Sequence, residues 1–515
     1  MKAAQVACLL SLACAVACAQ PVVFLQDRLE VSACRGEFES VPVTVLALTD
    51  VAGLTVTVSD LRGRAGTMPA SAVDVRVVKA WWQAGYEVWD LTHRRLVPEL
   101  LLKDDALVRV DLDKQANYLR DQTGRYRLCS GATSDNLAGV LPRDAETLQP
   151  IDLRKGEQRT FWLTVRVPEQ ANAGPYRGAV AFSCAGRAKR LPLRVNVRAF
   201  DLAPSRLIYS LYYRAHLTSG PPVCNSDDKT GEQYAVEVAD MRDHGVLYPA
   251  NYQGLDGLER ALGIRTALGL PAGRFYTLGC NPGSTPEDLG RIAAWMDVLR
   301  PWGYSEVYFY GEDEAMGEAL RAQKAAWKAT QEAGARTFVA GYAGTFEAMG
   351  GLLNCAVYFG RPTEQEAAKW HGVGSTVLSY ANPQVGVEDP LVYRRNYGLA
   401  LWRAGFDGAM DYAYQHAFHA VWNDFDDPDY RDHVFAYPTA NGVVGTLQWE
   451  GFREGVDDVR YIATLQAEVA LASPDLAAQG QRFLNRIDPG GDLDHIRSRV
   501  VEQIEKLRAA RGGGR

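Results

Sequence analysis

The sequence of 515 residues has little of what marks nucleic-acid-binding or membrane-spanning proteins. It contains no run rich in lysine and arginine, and 55 basic against 62 acidic side chains give a formal net charge of −7. Because a phosphate backbone is bound mainly by clustered positive charge, nucleic acid is not an expected partner. No stretch after the first 19 residues offers 18 uninterrupted apolar residues, so no membrane-spanning helix is expected. A hydrophobic content of 47% is typical of a globular protein.

The nine cysteines include no C-x-x-C pair, which excludes the common zinc and redox motifs. Cysteine spacing alone does not decide whether a disulfide forms. Residues 416–429 bring two histidines close to several acids, but their spacing fits neither a zinc helix motif nor an EF-hand loop. A solvated acidic loop is the simpler interpretation, and we expect neither a metal nor a cofactor.

Residues 1–19 have the pattern of a secretory signal peptide. Lys2 precedes a short apolar stretch, and the small residues Ala17, Cys18 and Ala19 form an A-x-A cleavage site before Gln20. This pattern predicts a secreted or periplasmic protein. An alternative is that residues 15–18 form a weak lipobox, in which case Cys18 would carry a lipid anchor.

Residues 20–204 show short alternating runs of β-branched and polar residues, separated by turn residues. Residues 161–167 and 191–198 are typical examples. Period-two alternation predicts half-buried strands, and many such strands in series predict a β-sandwich domain. We place its boundary near residue 204.

From residue 205 to about 440 the pattern changes to apolar runs alternating with amphipathic helical stretches. Eight candidate strands can be counted, which is the number in a (β/α)8 barrel: residues 207–214, 246–252, 274–279, 306–314, 336–342, 355–360, 376–382 and 408–414. Residues 441–515 are predicted to form a C-terminal helical segment that packs on the barrel.

The strongest chemical signal lies at the end of the fourth candidate strand, where Glu312, Asp313 and Glu314 follow one another. Active sites of such barrels lie at the carboxyl ends of the strands. Carboxylates held close together raise one another's pKa, which suits a general acid. The competing interpretation is a solvated loop or a helix cap.

The seventh candidate strand ends without an acid, although a conventional retaining glycosidase needs two carboxylates about 5 Å apart. This absence favours a mechanism in which a 2-acetamido group of the substrate supplies the nucleophile. One carboxylate would orient that group and the next would protonate the leaving oxygen. The alternative is a conventional pair of Glu314 with Asp411, which lies on the eighth candidate strand.

Four segments together resemble glycoside hydrolase family 123: residues 168–178, 310–314, 435–438 and 449–458. The resemblance implies a sandwich joined to a barrel and an exo-acting β-N-acetylgalactosaminidase that uses substrate assistance. It also implies that Asp313 orients the acetamido group and that Glu314 is the general acid/base. Three positions depart from the family pattern, namely Ala315, Asn354 and Asp411, and they put the sugar specificity in doubt.

Further substrate contacts are expected at the strand ends. By analogy with the family, Tyr380 would donate a hydrogen bond to the acetamido carbonyl and Trp422 would form a stacking wall. Tyr342, Tyr412, Asn251 and Arg214 are further candidates for sugar contacts. Residues 449–458 repeat charges at helical three- and four-residue steps, which predicts structural ion pairs.

The leading hypothesis is therefore an exported exo-acting glycoside hydrolase that removes a terminal β-linked N-acetylhexosamine from a glycan or glycoconjugate, with N-acetylgalactosamine favoured by the resemblance alone. Two alternatives stay open. One is a retaining glycosidase on neutral sugars that uses Glu314 and Asp411, and the other is a carbohydrate-binding protein without catalysis.

Overall fold

The computed structural model describes residues 22–64, 66–281 and 283–512, so the predicted signal peptide and Cys18 lie outside the described residues. The chain divides into two compact units. Of the described residues, the first comprises 22–78, Lys103–Asp105 and Ala145–Asp201, and the second Lys79–Leu102, Ala106–Asp144 and 202–512. These units do not follow a single cut near residue 204, because residues 79–102 and 106–144 pack within the second unit.

The first unit contains two β-sheets that pack face to face. In its second sheet, Leu191, Leu193, Val195 and Val197 alternate with more exposed residues, as the period-two pattern predicts. Aromatic rings from the two sheets are in contact, since the ring centroids of Phe161 in the first sheet and Phe182 in the second are 5.3 Å apart. The first sheet has five strands in the order Val22–Phe24, Phe38–Ala47, Gln158–Arg166, Val73–Ala84 and Arg94–Leu102. Its first three strands and residues 73–78 belong to this unit. The second has the order Ile151–Leu153, Val51–Val58, Gly174–Cys184, Arg187–Val197 and Leu29–Ala33, with Leu61–Gly63 and Gly66–Met68 beside it.

The second unit is built on a parallel sheet of seven strands. The strands alternate with helices along the chain, and most of their residues are buried. Both faces of the sheet are therefore covered, as is usual for parallel sheets. The spatial order is Ile208–Leu211, Gly408–Asp411, Thr376–Tyr380, Cys355–Phe359, Arg336–Gly341, Glu306–Tyr310 and Arg274–Thr277. These strands match seven of the eight that the sequence predicts.

The remaining predicted strand, residues 246–252, is not a regular strand. It lies between the two edge strands and hydrogen-bonds to both: Ala250 N–H donates to Leu211 O (2.9 Å), and Asn251 N–H donates to Tyr276 O (2.8 Å). Pro249 has no N–H to donate, which interrupts a regular ladder at this point. The fold is mixed α/β with several sheets, and a complete (β/α)8 barrel stays a prediction.

Helices follow most of the parallel strands, and side chains cap several of them. Thr230 and Gln233 form a capping box, as do Thr285 and Asp288. The helical stretch between the strands Glu306–Tyr310 and Arg336–Gly341 is divided into two helices at Gln323. The helices are Gly231–Asp243, Leu255–Ala267, Pro286–Leu299, Gly317–Ala322, Lys324–Glu332, Thr345–Met349, Glu364–His371, Pro390–Tyr397, Leu399–Ala404, Leu447–Ala470, Pro474–Asn485 and Leu493–Gly512.

Short antiparallel strands complete the second unit. They are Arg94–Leu102, the three-stranded sheet of Val108–Asp111, Ala116–Arg120 and Tyr126–Leu128, and the pairs of Gln415–His416 with His433–Val434 and Ala436–Pro438 with Val443–Gly445. His216–Leu217 pairs in parallel with Asp228–Lys229. In the part of the chain that the structure describes, no helix has the length and apolarity needed to cross a membrane.

The long helix Leu447–Ala470 carries the motif at residues 449–458 in a structural role. Asp458 Oδ2 accepts a 2.8 Å hydrogen bond from Arg394 Nε, and its Oδ1 accepts one of 2.6 Å from Arg497 Nε. All three side chains are largely buried. These ion pairs join the helix to two others, Pro390–Tyr397 and Leu493–Gly512.

Candidate active site

A cavity of about 630 Å³ opens at the carboxyl ends of the parallel strands. This is the position where active sites of α/β sheets with parallel strands are formed. Polar and aromatic side chains from successive strand ends converge on it, among them Tyr212, Tyr310, Asp313, Glu314, Tyr380 and Tyr412. Asp313 and Glu314 are the only carboxylate side chains among the described residues that line the cavity.

Asp313 is held in place by a chain of buried hydroxyls. The Tyr310 hydroxyl donates a 2.5 Å hydrogen bond to Asp313 Oδ1 and accepts one of 3.2 Å from Ala340 N–H. The Tyr212 hydroxyl lies 3.1 Å from that of Tyr310. Burial and the neighbouring carboxylate raise the pKa of Tyr310, so this phenol keeps its proton and can donate it to Asp313.

Glu314 lines the same cavity but lies on an unusual backbone, with a φ of 50°. A non-glycine residue in this left-handed region costs free energy, and such residues concentrate at functional sites. Burial, followed by the Glu314 carboxylate, raises the pKa of Tyr342. Glu312, the third acid of the run, is exposed and does not line the cavity.

The predicted contacts Tyr380, Tyr412, Tyr342 and Arg214 all line the cavity. Burial, followed by the charges of Glu314 and Asp313, raises the pKa of Tyr380, so its hydroxyl is a neutral donor. Arg214 Nε donates to Asp227 Oδ1 at 2.9 Å, and Arg214 Nη1 donates to the Tyr412 hydroxyl at 3.3 Å. The positive charge of Arg214 is therefore balanced by Asp227, which does not line the cavity.

Two predicted contacts, Asn251 and Trp422, do not line the cavity. Both are 2% exposed. The Asn251 amide donates to Gln253 O at 2.8 Å, so it stabilises the loop that follows the irregular segment 246–252. The Trp422 indole donates to Pro438 O at 2.9 Å and packs 4.8 Å from the Tyr437 ring. Because its ring is covered by protein, Trp422 cannot form a stacking wall for a sugar in this cavity.

Asp411, the alternative second carboxylate, is fully buried at its strand end and does not line the cavity. Its Oδ1 accepts a 3.0 Å hydrogen bond from Ala381 N–H. Burial raises the pKa of the Asp411 carboxyl to about 8. A carboxyl that is protonated at neutral pH is a poor nucleophile.

The raised pKa of Asp411 predicts a pH-dependent stability. In the unfolded chain this carboxyl ionises near its ordinary value, whereas the folded chain keeps the proton up to about pH 8. Stability is therefore lost as the pH rises through this window. The Asp411→Asn variant cannot ionise, so its free energy of unfolding relative to the wild type should rise by up to about 1.4 kcal/mol per pH unit. Urea unfolding of both proteins across the window measures this, and a constant difference would contradict the assignment.

Several lining residues were not identified from the sequence. His416 and His433 come together from paired short strands, and Trp89 and Tyr430 lie at the mouth with 57% and 45% of their surface exposed. The His416-x-x-His419 spacing can be seen in the sequence, but as a pattern it suggests metal binding and not a sugar contact. Across the described ranges, no group of three or more His, Cys, Asp or Glu side chains is placed to hold a metal ion.

The fold was compared with known proteins. No family model matches the chain, and no curated protein matches it. Among solved structures, a family 123 glycoside hydrolase from Clostridium perfringens is 10% identical, with a TM-score of 0.57 and coverage of 94% of this chain and 93% of that one. The chain has the fold of a family 123 glycoside hydrolase. The predicted resemblance is thus confirmed at the level of the fold.

Other structural matches are weaker. Beta-glucuronidase 3 from Bacteroides uniformis is 10% identical, with a TM-score of 0.32 and coverage of 84% of this chain and 52% of that one. A putative alpha-galactosidase from Bacteroides fragilis is 14% identical, with a TM-score of 0.20 and coverage of 47% and 52%. These scores are too low to carry an argument about this chain.

Proposed function

We propose that the chain is an exo-acting glycoside hydrolase that removes a terminal β-linked N-acetylhexosamine by substrate-assisted hydrolysis with retention. The observation that carries this proposal is the composition of the cavity. Its two described carboxylates are adjacent in sequence, and one of them, Asp313, is fixed by Tyr310. A conventional retaining glycosidase uses two carboxylates that usually come from different strands, whereas these two follow one strand, and this favours the acetamido oxygen as the nucleophile.

In the proposed reaction, the acetamido oxygen attacks the anomeric carbon while Glu314 protonates the departing glycosidic oxygen. Asp313 accepts a hydrogen bond from the acetamido N–H and stabilises the positive charge that develops on the oxazolinium ring. The neutral Tyr380 hydroxyl donates a hydrogen bond to the acetamido oxygen. Glu314 then removes a proton from the water that opens the ring and restores the sugar with its original configuration.

The family 123 fold supports a glycosidase, while the finer parts of the proposal rest on the sequence. The preference for galactosamine rests on the motif resemblance, and export rests on the pattern of residues 1–19. Closure of the parallel sheet into an eight-stranded barrel is also part of the proposal. It is supported by the hydrogen bonds of Ala250 and Asn251 to the two edge strands.

A panel of aryl β-glycosides tests the proposed function. Residues 20–515 should release the aryl alcohol from 2-acetamido-2-deoxyhexosides, and removal of the acetamido group should lower kcat/KM by at least about 10³-fold, since it removes the nucleophile. The control variant Glu312→Gln changes an exposed neighbouring acid outside the cavity and should retain wild-type rates. Equal turnover of neutral β-hexosides would support the two-carboxylate alternative, and no turnover of any glycoside would support a binding protein.

A further inference from the structure

Two histidines form one wall of the cavity. His416 and His433 are directly opposite each other in the pairing of Gln415–His416 with His433–Val434. Their rings are nearly parallel, with centroids 6.2 Å apart and an interplanar angle of 17°. Both side chains line the cavity that holds Asp313 and Glu314. The proposed mechanism uses neither histidine.

The partner of His433 fixes the position of its proton. His433 Nδ1 lies 2.5 Å from the carbonyl oxygen of Val385, which can only accept. Nδ1 therefore carries the hydrogen, and in a neutral ring Nε2 has a free lone pair. His433 thus presents a hydrogen-bond acceptor on its Nε2 side.

The partners of His416 give it the opposite tautomer. The Arg214 guanidinium can only donate, and it donates to the Tyr412 hydroxyl. That hydroxyl lies 3.0 Å from His416 Nδ1. Because its oxygen already accepts from Arg214, we infer that it donates its own proton to Nδ1. His416 Nδ1 is therefore an acceptor, so the ring hydrogen is on Nε2. His416 presents a donor where His433 presents an acceptor.

Both rings stay neutral at ordinary pH. Burial, with Arg214 and His433 nearby, lowers the pKa of His416 to about 3. Burial and the charge of Arg431 lower the pKa of His433 to about 4, against the opposing effect of its hydrogen bond to Val385. The wall is therefore an uncharged donor beside an uncharged acceptor.

We propose that His416 and His433 form a specificity-determining pair that binds neighbouring hydroxyls of the terminal sugar. This inference rests on the proposed function and adds the kind of sugar edge that the site accepts. A hydroxyl both donates and accepts, so two hydroxyls match a donor beside an acceptor. A carboxylate, sulfate or phosphate would place negative charge against the lone pair of His433, so the pair selects sugars whose hydroxyls on that edge are free and neutral.

The pair is tested by combining variants with altered substrates in double-mutant cycles. Wild type, His416→Phe and His433→Phe are assayed with aryl 2-acetamido-2-deoxyhexosides that lack the 3-, 4- or 6-hydroxyl. We expect deletion of one of these hydroxyls to lower the wild-type kcat/KM by about 10-fold or more. The same deletion should cost at most about 2-fold in the variant that has lost its partner. His419→Phe changes a half-exposed histidine outside the cavity lining and should behave as wild type for every sugar.

The inference would be overturned if each hydroxyl deletion lowered kcat/KM by the same factor in wild type and in both variants. A merely structural histidine lowers kcat/KM equally for all substrates. His433 is buried, so that variant can fail to fold. The half-buried His416 then decides the result, with thermal unfolding as the check on folding. The same double-mutant cycle is repeated for binding, with calorimetric Kd values of the free 2-acetamido sugars and their hydroxyl-deleted analogues. Absence of wild-type turnover refutes the proposed function, whereas absence of coupling in both measurements refutes the histidine pair.

Discussion

Replacement of Glu314 by Gln is expected to lower kcat/KM by about 10³-fold for a β-linked 2-acetamido sugar whose leaving group is a basic alkoxide. A glutamine amide has the shape of the carboxyl but cannot transfer a proton. With an activated leaving group, such as a dinitrophenolate, the departing oxygen needs little protonation, and the loss should shrink to about 10-fold or less. The measurement is kcat/KM for wild type and variant across a series of aryl leaving groups of known pKa.

The leaving-group series also separates chemistry from folding. A variant that is partly unfolded loses the same factor on every substrate, whereas loss of a general acid depends on the basicity of the leaving oxygen. Azide provides a second test, because a small anionic nucleophile can replace the water that Glu314 activates in the second step. Equal losses across the series, without rescue, would contradict the acid/base role of Glu314.

The sequence predicted the region of the site because strand ends can be read from local patterns. Residues 306–310 are strongly apolar and aromatic, and the charged run that follows has to leave the sheet, which placed Asp313 and Glu314 at a carboxyl end. Tyr380 and Tyr412 were found by the same rule, since each lies at the end of its strand or just after it. Local rules succeed where a side chain's position depends only on its own strand.

Contacts made by distant segments were beyond these rules. Trp89 reaches the mouth of the cavity from a segment that the periodicity assigns to the sandwich, although the structure packs it within the second unit. His433 meets His416 through a two-residue strand pairing that has no detectable period. Trp422 shows the converse, because residue type and sequence position suggest a sugar platform, whereas its ring is buried in the core.

Asp411 was equally ambiguous in the sequence, because burial is not visible in a residue type. Asp411 lies at a strand end, where catalytic acids are found, yet its side chain is fully buried and burial raises its pKa to about 8. The distinction between a working acid and a buried structural one is thus a matter of solvation. It bears directly on which group attacks the anomeric carbon.

Replacement of Asp313 by Asn is the second prediction with a large effect. The oxazolinium intermediate carries positive charge, and a carboxylate held by Tyr310 is oriented to stabilise it. We expect kcat to fall by about 10²- to 10³-fold, and binding of a stable thiazoline mimic to weaken by about 10²-fold, because that mimic shares the geometry and charge of the intermediate. Steady-state kinetics and calorimetric Kd values for wild type and variant measure both effects. Binding of the free sugar should change much less, since it lacks the developing charge.

A labelling experiment identifies the nucleophile itself. An activated 2-fluoro glycoside lacks the acetamido group, so under substrate assistance it should leave no covalent adduct on the wild-type protein. The matched variant is Asp411→Asn, which replaces a carboxyl that is already neutral below about pH 8 and should keep most of the wild-type rate. If mass spectrometry instead found a glycosylated Asp411, and if Asp411→Asn lost activity as severely as Asp313→Asn, an enzyme carboxylate would be the nucleophile. The acetamido group would then serve recognition only, and Asp313 would lose its assigned part in the chemistry.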